Sequence, residues 1–249
     1  MRITRSHGLG NVYLVVEAAG PLTPAQVVAL CDRATGVGAD GALEPLDGGA
    51  RVRIWNPDGS LAEKSGNGLR IYARWRADRG AASPMTVWTD AGPVVADVSD
   101  AAITVDMGVA RIVGVEQLAG VWVTRVDVGN PHAVVDGWPP DWRAIGARLE
   151  HAVEGRTNVQ FVDVRDGVAH VRIWERGAGE TPASGSSACA VARVCVERGA
   201  LASPVTVRMA GGDLRVEVAP DGRVRQTGPV EVVSTFDLDP RWTGARGWS

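Results

Sequence analysis

The chain has 249 residues, 45% hydrophobic and 22% charged, with a formal net charge of -3. That length accommodates one large domain or two small ones around a substantial core, and the charge gives no reason to expect a nucleic acid or an anionic membrane as partner. The first residues lack the apolar stretch of a signal peptide and no apolar run reaches the length of a membrane span, so a cytoplasmic protein is expected.

In chain order, residues 11–16 alternate as a strand does, and residues 52–55, Val-Arg-Ile-Trp, read as another. A Gly-rich loop follows, then Ser65-Gly opens a helix running to about residue 78, with Gly80 where it should stop. Strands are expected at 85–88, 102–106 and 122–128; Pro139-Pro140 marks a loop. The pattern then returns: Val-Arg-Ile-Trp at 171–174, a Gly-rich loop, Ser184-Gly opening a helix to about residue 197, Gly199, and strands at 205–209 and 213–218. Gly36-Val-Gly-Ala-Asp-Gly41 resembles a dinucleotide glycine loop only loosely, with no parallel βαβ pattern around it.

The recurrence is a duplication. Residues 52–81 lie on 171–200 without a gap, sharing Val-Arg-Ile-Trp, Ser-Gly, Ala-Arg and Arg-Gly-Ala; Ser83-Pro and Ser203-Pro continue the match. The expected fold is α+β, with two pseudo-symmetric lobes, each a β-rich barrel-like shell around a central helix. The lobes are placed at 1–108 and 109–249, with a last strand near 226–236 that could return to the first lobe. Two such lobes packed face to face would set the Ser65 and Ser184 helix starts across a cleft. Helix N-termini carry outward N–H groups and the positive end of the dipole, which suit a carboxylate. Either serine could equally be an ordinary N-cap.

The remaining chemistry-bearing residues are sparse. Cys31, Cys189 and Cys195 are odd in number and without CxxC spacing, so they read as buried free thiols rather than disulfides or a zinc site. His7, His132, His151 and His170 have no metal-ligand spacing. Lys64, beside Ser65, is the sole lysine among 26 basic residues. Unlike arginine, it can give up its proton when desolvated.

Eight segments resemble motifs of the diaminopimelate epimerase family, in that family's order. They are His7-Gly-Leu-Gly-Asn11, Cys31 through Gly41, Asn56-Pro-Asp-Gly-Ser60, Ser65-Gly-Asn-Gly68, Gly129-Asn-Pro-His132, Arg156-Thr-Asn158, Glu175 through Thr181 and Ser184 through Ala190. The resemblance implies no pyridoxal phosphate, no other cofactor and no metal, a small zwitterionic amino acid as substrate, a role in lysine biosynthesis, and a homodimer. It implies that Asn11, Asn56, Asn130, Asn158 and Arg176 hold the distal carboxylate and ammonium of diaminopimelate. It assigns the α-carboxylate to Gly66, Asn67, Gly185 and Ser186, and the surroundings of the α-amino group to His132 and Glu175. The two acid/base positions, cysteine in the family, are Ser65 and Ser184 here.

That substitution bears directly on the chemistry. A thiol ionises near 8.5 and a helix N-terminus can lower it to a working thiolate, whereas an alcohol is a far weaker acid. Three readings follow. The serines epimerise an amino acid. Or Lys64 assists Ser65 as a base in a one-sided isomerase or dehydratase, since Ala183 stands in the matched position. Or the chain is an inactive diaminopimelate-binding homologue or Cys-to-Ser variant.

Overall fold

A computed structural model describes residues 1–248. Contacts divide the chain into two compact units, Met1–Ser99 with Pro229–Ser249, and Asp100–Gly228.

The first unit begins with the hairpin β1 (Arg2–Gly8) and β2 (Asn11–Glu17), followed by α1 (Pro24–Cys31), β3 (Ala42–Leu46) and β4 (Arg51–Trp55). It continues with the central helix α2 (Gly66–Ala77) and the hairpin β5 (Met85–Thr89) and β6 (Gly92–Val98). β1 and β2 pair antiparallel, β2 and β3 parallel, β3 and β4 antiparallel, β4 and β5 parallel, β5 and β6 antiparallel. Each parallel step is bridged by a helix, because a parallel pair needs a crossover that a tight turn cannot supply.

The second unit contains β7 (Ile103–Val109), β8 (Arg111–Leu118), β9 (Val121–Asp127), β10 (Pro131–Asp136), α3 (Trp142–Glu150), β11 (Asn158–Arg165) and β12 (Val168–Glu175). The short β13 (Gly179–Glu180), the central helix α4 (Gly185–Glu197), β14 (Val205–Met209), β15 (Gly212–Val218) and β16 (Arg223–Gly228) complete it. From β9 to β15 the alternation of antiparallel and parallel pairs repeats that of β1 to β6. The duplication read from thirty-odd residues thus extends over both units. The chain ends with β17 (Glu231–Asp237), antiparallel to β1, and α5 (Pro240–Gly244).

The boundary differs from the one expected at residue 108. β7 lies wholly in the second unit, because it pairs antiparallel with β16. Thr104 and Thr227 share a 2.8 Å hydroxyl contact and Arg223 reaches Asp106 at 2.7 Å. The expected absence of a βαβ pattern around residues 36–41 is also corrected: β2–α1–β3 is such a unit. Its glycines follow the helix instead of opening it. Gly41 serves close packing, since a Cβ there would lie 2.5 Å from both the Trp55 carbonyl oxygen and the Tyr13 ring.

Both central helices are cores in themselves. On α2, Leu69, Ile71, Tyr72 and Ala73 are at most 1% exposed, and on α4 the run Ala188–Ala192 is fully buried. Each large aliphatic side chain buried this way contributes roughly 1.5–3 kcal/mol. α2 packs on β1, β2, β5 and β6; α4 packs on β9 to β12 and β14 to β16. Each helix runs out into a left-handed glycine, Gly80 (φ 85°) and Gly199 (φ 68°). The outer helices α1 and α3 cover second cores, one closed by Phe236, Trp242 and Trp248, the other built on Trp142, Leu149 and Phe161. No helix among the described residues is long and apolar enough to cross a membrane.

Candidate active site

Candidate site residues lie at the start of the central helix in each unit. In the first unit Ser65 is the N-cap of α2 in extended geometry, and its Oγ accepts the Gly68 N–H at 3.1 Å. It also accepts the Tyr13 hydroxyl at 3.0 Å. The cap depends on Gly68, where a Cβ would sit 3.2 Å from Ser65 Oγ and 3.1 Å from Leu43.

Asn67, one step into the helix, is 2% exposed. Its Nδ2 donates to Asn11 Oδ1 at 3.0 Å and its Oδ1 accepts from the buried Arg70 guanidinium at 2.7 Å. Asn11 in turn donates to Asp40 at 3.2 Å, and Asp40 also takes the Val12 N–H at 2.8 Å and Arg33 at 2.5 Å. Two expected site residues, Asn11 and Asn67, are thereby joined in one chain. Asn56 lies in its own turn, donating to Ser60 Oγ at 3.0 Å. Lys64 is half-buried ahead of the helix. The Ser65 hydroxyl oxygen takes the Tyr13 O–H and the Gly68 N–H.

In the second unit Ser184 has the same extended N-cap backbone and is 8% exposed, but its side chain makes no capping bond. Gly185 and Ser186 form the first turn behind it. His132 is fully buried; one ring nitrogen meets Asn130 Oδ1 at 2.9 Å and the other meets Gln160 Nε2 at 3.0 Å. Gln160 also donates to Ser187 Oγ on α4 at 2.9 Å. Because the amide donates to Nδ1, the ring proton sits on Nε2 and points at Asn130. Burial drives the His132 pKa down to about 3, only partly opposed by the Gln160 bond and Asp127, so the ring is neutral at working pH.

Asn158 donates to the Pro131 carbonyl at 3.0 Å and accepts the Arg176 N–H at 3.1 Å. The parallel register places Asn158 beside His132. Arg176 reaches the Gly155 carbonyl at 3.2 Å, and Glu175 accepts from Thr181 at 2.8 Å. Buried Glu150 ties these loops together, accepting from the Trp174 indole at 2.8 Å, the Gly177 N–H at 2.7 Å and Arg156. Burial pushes Glu150 upward, but those donors outweigh it and its pKa is lowered. The matched Trp55 likewise gives its indole N–H to a buried acid, Glu44, at 2.9 Å.

Several of these residues escaped the sequence reading: Tyr13, Asp40, Arg70, Glu150, Gln160 and Ser187. One signal was available. The offset that lays Ser65 on Ser184 also lays Asn11 on Asn130 and Tyr13 on His132, so extending the repeat toward the N-terminus would have flagged Tyr13. The cysteines do not substitute for the serines. Burial, with Asp40 adding to it, pushes Cys31 up to about 12, and burial with Asp136 pushes Cys195 up to about 11. Cys189 is fully buried inside α4.

Comparison with known proteins agrees with this fold. Among solved structures, a predicted epimerase from Pseudomonas aeruginosa superposes with a TM-score of 0.74 at 21% identity, covering 95% of this chain and 98% of that one. A hydroxyproline epimerase from Agrobacterium vitis gives 0.70 at 17% identity, covering 97% and 93%. In fold, then, the chain is one of the duplicated shells on which such epimerases are built. The sequence profile described as Diaminopimelate epimerase matches residues 3–113 and 124–233. The diaminopimelate epimerase of Desulforudis audaxviator is 40% identical, over 98% of this chain and 100% of that protein. That of Corynebacterium aurimucosum is 36% identical, over 94% and 98%. The chain belongs to the diaminopimelate epimerase family.

Proposed function

We propose that the chain interconverts the epimers of diaminopimelate, or of a closely similar zwitterionic amino acid, in the cytoplasm without pyridoxal phosphate or metal. Ser65 and Ser184 are its two acid/base groups. The observation that carries this reading is the placing of both serines as extended N-caps of matched helices, α2 and α4. Two-base epimerisation needs one group to take the Cα proton and a second to return one to the opposite face. A carboxylate held at a helix start is stabilised by outward N–H groups and the dipole, and withdrawing its charge in this way favours loss of the neighbouring Cα proton.

In this reading Gly66, Asn67, Gly185 and Ser186 receive the α-carboxylate. Asn11, Asn56, Asn130, Asn158 and Arg176 hold the distal end. His132, kept neutral, and Glu175 flank the α-amino group, and a homodimer is the working assembly. The test is conversion of LL-diaminopimelate by the purified protein, followed by chiral chromatography. Turnover should fall at least about a hundredfold in Ser65→Ala and in Ser184→Ala, the scale of a lost acid/base group. Ligand binding without turnover in the parent protein would overturn the reading.

A second reading is favoured by one asymmetry. Ser65 has hydroxyl and amide partners, Ser184 makes no cap, and Ala183 stands where Lys64 does in the first unit. A one-sided site suits isomerisation or elimination on another small zwitterion, with Lys64 assisting Ser65. Loss of activity in Lys64→Met with a product other than the epimer would select it.

A further inference from the structure

A hydroxyl oxygen has two acceptor positions and one hydrogen. At Ser65 both acceptor positions are filled, by the Gly68 N–H at 3.1 Å and the Tyr13 O–H at 3.0 Å. The hydrogen of Ser65 is therefore directed away from both, and the oxygen it would leave behind is already solvated by two donors and the helix start. Tyr13 is firmly held for this. It is 6% exposed, lies on β2 opposite Ser6, and its ring edge occupies the space that a Cβ at Gly41 would fill. Its counterpart in the second unit is His132, whose ring nitrogens go to Asn130 and Gln160.

Resting on the epimerase reading above, we infer that Tyr13 is a positioning residue that makes Ser65 usable as an acid/base group, by relaying its proton. In the donating direction the Ser65 O–H bond breaks as the new Cα–H bond forms, and the bonding pair stays on Oγ. The Tyr13 O–H then breaks and Ser65 O–H re-forms, leaving a phenolate. In the removing direction the phenolate takes the Ser65 proton while Oγ takes the proton from Cα. Atoms and charge balance in both directions, and the group that carries the negative charge between steps is a phenol, a far stronger acid than an aliphatic alcohol. Acid/base groups work best with a pKa nearer the operating pH, and the relay supplies that without a thiol.

The experiment is Cα deuterium incorporation into the meso product formed from LL-diaminopimelate in D2O, run as a cycle of Tyr13→Phe and Ser65→Cys. Phe keeps the ring, and a thermal melt of each protein checks the fold. Tyr13→Phe is expected to cost at least about a hundredfold in the Ser65 protein, and at least tenfold less when residue 65 is changed to cysteine, whose thiol ionises without the relay. A pH profile separates relay from support. The chain has two tyrosines, so 3-fluorotyrosine incorporated in a Tyr72→Phe background reports on position 13. The more acidic phenol should shift the tyrosine-dependent limb of kcat/KM downward, while Lys64, Asp40 and Arg70 keep their own chemistry. Equal losses in both backgrounds, or an unmoved limb, would overturn the relay. Exchange by the parent that survives Tyr13→Phe overturns the relay alone, whereas no exchange by the parent sinks the epimerase reading and the relay with it.

Discussion

Ser65 and Ser184 share a backbone geometry and differ in capping, since the Ser65 side chain takes the Gly68 N–H and the Ser184 side chain makes no such bond. At matched positions one unit has Tyr13 and the other His132. His132 illustrates how burial chooses a role: desolvation first, and the Arg176 charge last among the causes, hold it far below its ordinary 6.5, against Gln160 and Asp127. NMR of the imidazole should show no titration of His132 between pH 5 and 9, with the proton on Nε2 throughout; a midpoint near 6.5 would contradict the buried network. The asparagines, Glu175 and Arg176 are named through the family resemblance alone, since taken singly they read as turn residues and a solvated ion pair. Gln160 and Ser187 could not be named, since a buried amide in a strand and a serine inside a helix look like any other core-lining polar residues until their partners are placed.

The two central helices are the elements on which the account turns. Both serines are N-cap residues, but only the Ser65 side chain makes a capping bond, so their removal should differ in stability as well as in activity. Ser65→Ala forfeits a cap worth about 1 kcal/mol and leaves Tyr13 without that acceptor; urea denaturation should show a loss of about 1–2 kcal/mol. Ser184→Ala should cost less than half as much by the same measurement, and equal losses would argue that Ser184 caps in solution. At this scale the sequence was most readable: the Ser-Gly starts and terminal glycines bound both helices within a residue or two. The outer helices α1 and α3 and the parallel pairs β2–β3 and β10–β11 were not foreseen. Each buries only one face, and parallel pairing joins segments far apart in the chain, which local patterns do not report.

For the whole molecule, duplication was legible but the boundary was not. Residues 103–109 follow the first repeat in sequence, yet their partner strand β16 comes more than a hundred residues later. The ionisable groups also act at this scale. Glu150 and His132 both have lowered folded pKa values. A depressed pKa contributes stability that is complete above the unfolded value and is lost as pH falls toward the folded one. Stability should therefore decline from about pH 6.5 downward as His132 resists the proton that the unfolded chain accepts, and further below 4.5 as folded Glu150 stays ionised while the unfolded glutamate takes its proton. Thermal melts across pH 3–8 should show the first part of this decline flattened in His132→Asn. Glu150→Gln should lower stability by about 1–2 kcal/mol at pH 7, because Arg156, Trp174 and Gly177 all lose a charged acceptor. In the proposed reaction two serines, one per unit, do the work of two bases. Its most direct test is an early-time reaction of LL-diaminopimelate in D2O, with the epimers separated and weighed by mass spectrometry. Deuterium is expected at the inverted centre of the meso product and none in the remaining LL substrate, because the group that removes the proton is not the group that delivers one. Deuterium in both epimers from the start would mean a single base, and deuterium in neither would mean that the serine site does no proton chemistry on this substrate.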